Sequence, residues 1–346
     1  MDADEQRTLV EAAIRSDPVD LEVLRALAIE GFADDQLRRI AWPYLLGSTQ
    51  LLHQDYSDSI YEHPYWDQVK KDIDRSLNFD RARKDGDATL QASRGSLANI
   101  IHAIFSENPD LHYVQGFHDV CSVFFIVCGE HLGHRLSESL SKQHVRDSLR
   151  PNLDVVVEVL SLIFPLLKLA DQAVHKFLDA SKVGSFFALS WVLTWFAHNM
   201  KNFDDVVRLY DFFLASHPLM PVYFSVTVIL DLKEDILALE CEFSVLHGFF
   251  QQLPEKIDVA GAIRRCVKLF TQFPPRILRQ SVKFDAPDSS PMWVDHIDQL
   301  SPQIDKDYKK PSRQRRKRER TLRIGYMIAA LIPVALGVLW MKSIHQ

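Results

Sequence analysis

Cysteine is scarce in this chain of 346 residues. The four that occur, Cys121, Cys128, Cys241 and Cys266, show no CxxC spacing and sit inside apolar runs. A disulfide framework is therefore excluded, and the four read as reduced core residues facing a cytosolic environment. No GxxxxGK[ST] segment occurs, so there is no phosphate cradle of the P-loop type and no nucleotide site of the chain's own is expected. HVRD (His144 to Asp147) has the look of a kinase catalytic loop, but neither a Gly-rich loop nor a DFG accompanies it. Glu130, His131 and His134 lack a third His to complete a facial set, so they read as surface residues and no metal is expected. No run alternates with period two, which argues against sheets, and no repeat period supports a solenoid. The opening MDADEQRTLVEAAIRSD is acidic and has no apolar stretch of signal-peptide length, so secretion directed from the front end is not expected.

Helical periodicity fills the space these absences leave. With 47% hydrophobic and 25% charged residues the composition is that of an ordinary globular protein with a sizeable core. Ser96 reads as the cap of a helix carrying Leu97, Ile100, Ile101, Ile104 and Phe105 on one face and stopping at Asn108-Pro109. The next, near Val120 to Cys128, is apolar on nearly every side, which predicts a central element. A further stripe runs from Leu153 to Leu167, and Gly184 to Asn199, Phe203 to Ala215, Pro221 to Leu232, Glu242 to Gln252 and Val259 to Phe270 read likewise. Phe79 to Ser96 is polar and turn-forming and reads as a mobile loop. Arg276 to about Tyr308, rich in Pro, Ser and Asp, reads as a flexible tether. About 45 residues of such chain would have an r.m.s. reach on the order of 35–40 Å.

The far end differs in kind. From Ile324 to Met341 the chain runs 18 residues without a charge, roughly 27 Å as a helix, enough to cross a thin bilayer. Lys309 to Arg323 just before it holds nine Lys/Arg and one Glu, whereas the rest of the chain carries 31 basic and 45 acidic side chains. Basic residues flanking a span stay cytoplasmic and attract anionic lipid headgroups, so the expectation is a tail anchor with everything up to Arg323 in the cytosol. The competing reading, a buried core helix beside a nucleic-acid-binding or nuclear-import run, lacks the polar face such a helix normally shows. No nucleic-acid partner is expected.

Two short segments carry the functional reading. VKKDIDR (Val69 to Arg75) places Asp72 and Arg75 three apart, on one face if that segment is helical, and YVQGFHD (Tyr113 to Asp119) sets Gln115 in a turn ahead of Gly116. Alone, each has a bland reading, a solvated surface pair and an ordinary turn. Together and in this order they resemble the IxxDxxR and YxQ fingerprints of the TBC-domain family, activators of Rab GTPases, with Val69 where the family prefers Ile. GFADDQLRRIAWPYLLG (Gly31 to Gly47), with Arg38, Arg39, Trp42 and Pro43, is similar to the family's opening segment. SWVLTWFAH (Ser190 to His198) and RLYDFFL (Arg208 to Leu214) resemble its third block, followed by PLMPVYF from Pro218. The resemblance covers about Leu21 to Pro275 and reaches a membrane-anchored branch of the family.

It implies an all-α, multi-helix domain over 21–275 after an N-terminal segment 1–20, then a linker with a basic run (276–323), a transmembrane anchor (324–341) and a short lumenal tail (342–346). It also implies a GTPase activator that holds no cofactor, since GTP and magnesium come with a prenylated, GTP-loaded Rab. Arg75 would neutralise charge on the transferring phosphoryl group and Gln115 would orient the attacking water, with Asp72, Tyr113, Gly116 and Asp119 supporting the two fingers. The implied location is the endoplasmic reticulum membrane or early Golgi, with the domain facing the cytosol. The alternatives are a Rab-binding module of the same fold that does not stimulate hydrolysis, and a tail-anchored helical adaptor.

Overall fold

A helix with no polar face has to be surrounded by others, and two segments meet that condition. The computed structural model describes residues 2–49, 63–77, 79, 87–252, 257–281, 286 and 290–300, and among them every regular element is a helix. The first half holds α1 (Ala3–Arg15), α2 (Leu21–Glu30), α3 (Asp35–Leu45), α4 (Trp66–Ile73), α5 (Asp87–Glu107), α6 (Phe117–Cys128) and α7 (Glu130–Lys142). The second holds α8 (Asp154–Ser161), α9 (Ile163–Ala170), α10 (Gln172–Ser181), α11 (Leu189–Leu193), α12 (Phe203–Leu214), α13 (Met220–Asp231), α14 (Lys233–Ala238), α15 (Phe243–Gln251), α16 (Val259–Gln272) and α17 (Pro275–Ser281). Every residue from Met220 to Ile229 in α13 is buried, and α6 buries most of its apolar residues together with His118.

These two helices organise the rest. α6 pairs most extensively with α7, where Gly133 lets the backbones meet, since a Cβ there would stand 3.1 Å from the backbone of Phe125. α5 lies against α6 and α7 and carries α4 on its flank, while α13 packs on α16, α9 and α11. Aspartates open several helices: Asp20 accepts from the amide of Val23 and Asp34 from that of Leu37, caps worth about 1 kcal/mol each.

Between the halves, Asp211 of α12 is wholly buried. It accepts from the amide of Phe32 at 3.1 Å, from Nε1 of Trp42 at 2.8 Å and from Nη2 of Arg38 at 2.9 Å. Burial pushes its carboxyl up, against the pull of Arg38. The opening segment and RLYDFFL are thus joined by one carboxylate.

Several expectations change. The segment from Ala88 to Ser96 is not a loop: α5 begins at Asp87, so Ser96 lies inside the helix and does not cap it. Ala88, Leu90, Gln91, Ala92 and Arg94 are good helix formers, and Leu90 packs on the core, which offsets Gly95. The stripe from Leu153 to Leu167 is two helices meeting at Leu162. The helix expected over Gly184 to Asn199 is a 3₁₀ turn at Phe186–Ala188 and the short α11, ended by left-handed backbone at Trp195 and Phe196.

A tether free from Arg276 onward is also corrected, because α17 continues to Ser281 and residues 290–300 dock on the domain. Ser290 donates to Asp147, Arg25 meets Asp298 at 2.5 Å, the Val294 carbonyl lies 2.7 Å from Nε2 of His217, and Arg279 covers the ring of Trp293. His144 and Asp147 of HVRD are buried. His134 is buried rather than exposed, and burial pushes it down to about 4. All four cysteines are free thiols, but Cys241 is exposed and Cys128 only half-buried. Residues 301–346, with the basic run and the apolar stretch, lie outside the described residues. Among those described, no helix is long and apolar enough to cross a membrane.

Candidate active site

α4 is amphipathic in a particular way: Val69, Asp72 and Ile73 form its inward face, so a carboxylate takes a core position. A buried charge has to be paired and hydrogen-bonded, and Asp72 is. Its Oδ1 receives Nη2 of Arg75 at 2.5 Å and Nε2 of Gln68 at 3.1 Å; its Oδ2 receives the hydroxyl of Tyr113 at 2.9 Å. Burial alone would push the carboxyl up, but the bonds from Arg75, Gln68 and Tyr113, with His118 nearby, hold it below its ordinary value. The helix ends at Ile73, two residues short of Arg75. Arg75 therefore sits in the closing turn, where its amide bonds to the carbonyl of Asp72 and its side chain is 61% exposed.

The second segment reaches the same carboxylate from the other side. His112 anchors it, its amide bonded to the Leu149 carbonyl at 2.8 Å and its Nδ1 to the hydroxyl of Tyr65. Tyr113 then points inward to Asp72, Gln115 is exposed in the turn, and Gly116 opens α6 with φ 105°. Glycine is needed there twice over, for the left-handed backbone and because a Cβ would lie 2.9 Å from Cγ2 of Thr194. Arg75 and Gln115 are thus both solvent-facing, each a short step along the chain from a partner in one buried hydrogen bond.

Around that bond lies an array the motifs do not spell out. His118, buried in the first turn of α6, faces Tyr113 Oη at 3.2 Å and the Gly116 amide at 3.3 Å through Nδ1, and Asp119 at 3.4 Å through Nε2. The other oxygen of Asp119 lies 3.0 Å from Nδ1 of His198. Burial pushes His118 down, opposed by Asp119 and Asp72; the bond to Asp119 raises His198. Tyr113 is raised by burial and by Asp72.

His198 arrives there because Trp195 and Phe196 hold φ of 51° and 67°, a conformation costing roughly 1–3 kcal/mol per residue. Packing of Trp195 on Tyr210 and Phe213, and of Phe196 on Trp191 and Phe224, offsets that cost. Sequence reasoning missed Gln68, His118 and His198. Gln68 stands one turn before Asp72 and His118 inside the YVQGFHD segment, so both were within reach; nothing local marks His198. An open cleft of about 710 Å³ runs from His198 past Ser190 to Phe186 and Gln251. Another, of about 900 Å³ between α3 and α12, holds neither finger residue.

The Rab-GTPase-TBC domain family matches residues 35–237. TBC1 domain family member 20 of Homo sapiens is 37% identical over 279 residues, 77% of this chain and 67% of that protein. GTPase-activating protein gyp10 of Schizosaccharomyces pombe is 31% identical over 261 residues, 74% of this chain and 70% of that protein. The Ypt/Rab-GAP domain of Gyp1p shares the fold with a TM-score of 0.65 at 15% identity, over 79% of this chain and 100% of that one. The chain belongs to the Rab-GTPase-TBC domain family.

Proposed function

We propose that this protein accelerates GTP hydrolysis on a Rab GTPase by supplying two side chains in trans, Arg75 and Gln115. The observation that carries the reading is the bond from Tyr113 to Asp72, which ties the two exposed side chains to one buried anchor. Phosphoryl transfer spreads negative charge over the γ-phosphate oxygens and needs an in-line water. A guanidinium held at its base by Asp72 suits the first demand, and a carboxamide on a turn fixed by Tyr113 and Gly116 suits the second. Asp119 acts one step further back, through His118 and His198. GTP and magnesium belong to the partner. The names of the relatives, gyp10 among them, support the same activity.

The tail completes the proposal. Residues 324–341 cross the bilayer once, Lys309 to Arg323 lie against anionic headgroups, and the domain faces the cytosol at the endoplasmic reticulum or early Golgi; the uncharged run and the nine basic residues before it support this. Because residues 290–300 are docked, the tether in this reading starts after Leu300. Sharing a membrane with a prenylated Rab raises their effective concentration, which compensates for modest affinity. The full-length chain in liposomes, assayed against a panel of GTP-loaded Rab proteins, tests the function. Stimulated hydrolysis on at least one Rab is expected. Binding to a Rab without stimulation across the whole panel would identify a non-catalytic module instead.

A further inference from the structure

His118 has two neighbours whose hydrogen-bonding roles are fixed. The amide of Gly116, in a buried residue, can only donate, and it lies 3.3 Å from Nδ1. The carboxylate of Asp119 can only accept, and its Oδ1 lies 3.4 Å from Nε2. Both demand one neutral tautomer, with the proton on Nε2 and a lone pair on Nδ1. The third neighbour, the hydroxyl of Tyr113 at 3.2 Å, gives its one proton to Asp72 and turns only a lone pair toward Nδ1, so it is an acceptor waiting for a proton on that nitrogen. Gly116 directly follows Gln115, so in this tautomer one nitrogen of one buried ring holds the C-terminal end of the turn that presents the carboxamide, while Asp72 holds Tyr113 at the other end.

We propose that His118 is a positioning residue for Gln115, clamping its turn through the Nε2–H tautomer, and that protonation of Nδ1 opens the clamp and lowers the stimulated rate. This rests on the Rab-activating reading given above. A proton on Nδ1 would confront the Gly116 amide with a second donor and leave that amide without an acceptor, a cost that moves the turn.

The groups facing the ring come from three elements: Asp72 and Arg75 from α4 and its closing turn, Tyr113 and Asp119 from the finger loop and α6, and His198 from the turn after α11. Burial pushes His118 down; Asp119 and Asp72 act against it, and His198 and Arg75 reinforce it. The ring is thus neutral and the clamp closed at neutral pH, and the clamp opens on the acid side.

The carboxamide oxygen of Asn stands as many bonds from Cα as Nδ1 does, and that of Gln as many as Nε2, so the two variants separate the two contacts. The full-length chain and its His118→Ala, His118→Gln and His118→Asn variants are to be compared on a GTP-loaded Rab by single-turnover hydrolysis between about pH 5 and 8. Nitrogen NMR of the histidine-labelled protein reads the tautomer directly. The expected results are an Nε2–H tautomer, a loss of about 10²-fold for Ala and Gln with Rab binding unchanged, and rescue by Asn with a flattened acid limb. An Nδ1–H tautomer, an unimpaired Ala variant, or an Asn variant as weak as Ala would overturn the clamp. Failure of the parent protein to stimulate any Rab would defeat the activating reading instead, while the tautomer still decides the clamp.

Discussion

The hydroxyl of Tyr113 donates to Oδ2 of Asp72 at 2.9 Å, and on the other oxygen of that carboxylate sits the guanidinium of Arg75. Through this one wholly buried side chain, the segment that ends in an exposed arginine and the segment that presents an exposed glutamine become a single mechanical unit. Neither segment could hold its geometry alone. α4 has only two turns, and the finger loop is irregular from Leu111 to Val114.

Tyr113→Phe removes the joint and keeps the ring. Asp72 then retains Gln68 and Arg75 but loses its third donor, and leaving a buried carboxylate short of a partner costs about 1–3 kcal/mol. Urea unfolding should show that loss. Asp72, now held less far below its ordinary pKa, should contribute its stability over a narrower range: the contribution is present above the unfolded value and disappears as pH falls through the folded one. Single-turnover hydrolysis should fall with it.

Gly116→Ala places a Cβ 2.9 Å from Thr194 at φ 105°. The strain, roughly 1–3 kcal/mol, falls on the turn that carries Gln115. Stimulated hydrolysis should therefore drop more than the thermal midpoint does, and a variant with unaltered rate would show that the turn tolerates another shape.

At Asp211 the expectation reverses, toward stability. Asp211→Ala strips the acceptor from Phe32, Trp42 and Arg38 together and leaves the guanidinium of Arg38, 11% exposed, without its main partner. Breaking such a buried pair costs about 3–5 kcal/mol. Calorimetry should find a large fall in the unfolding midpoint, although the residue stands apart from the fingers.

Acid should loosen the fold through His144, which burial pushes down to about 3. Between the unfolded value near 6.5 and that figure the unfolded chain binds the extra proton. Stability on this account is full above the higher value and falls by up to roughly 1.4 kcal/mol per pH unit below it. His144→Phe, filling the cavity of about 40 Å³ beside Trp195 and Met292, should flatten that acid slope in thermal melts.

What could be read in the sequence followed from local rules. The apolar faces of α6 and α13 and the limits of α12 and α16 obey helical period, and the two finger segments carry their own residue pattern. The expectations that failed are tertiary. The first turns of α5 are polar because one side meets solvent, not because the chain is a loop there, and Arg94 reaches the carbonyl of Ser76 beside the finger. Trp195 and Phe196 break a good helical stripe because aromatic packing outweighs backbone preference. Residues 290–300 look like linker by composition, yet Ser290 and Met292 are buried, and Met292 lies in a pocket with Trp195 and Leu219 that no local pattern anticipates. The meeting of His198 with Asp119 depends wholly on that irregular turn.

The most direct measurement is single-turnover GTP hydrolysis on a responsive Rab with the full-length chain and its Arg75→Ala and Gln115→Ala variants. An inserted arginine is worth about 10³ to 10⁵ in rate, on the order of 4–7 kcal/mol. Arg75→Ala should therefore abolish stimulation, a larger effect than the roughly 1–3 kcal/mol of stability lost when buried Asp72 is left short of a donor, and Gln115→Ala should lose most of it. Full stimulation by either variant would mean that the two side chains joined through Asp72 and Tyr113 do not complete the Rab active site.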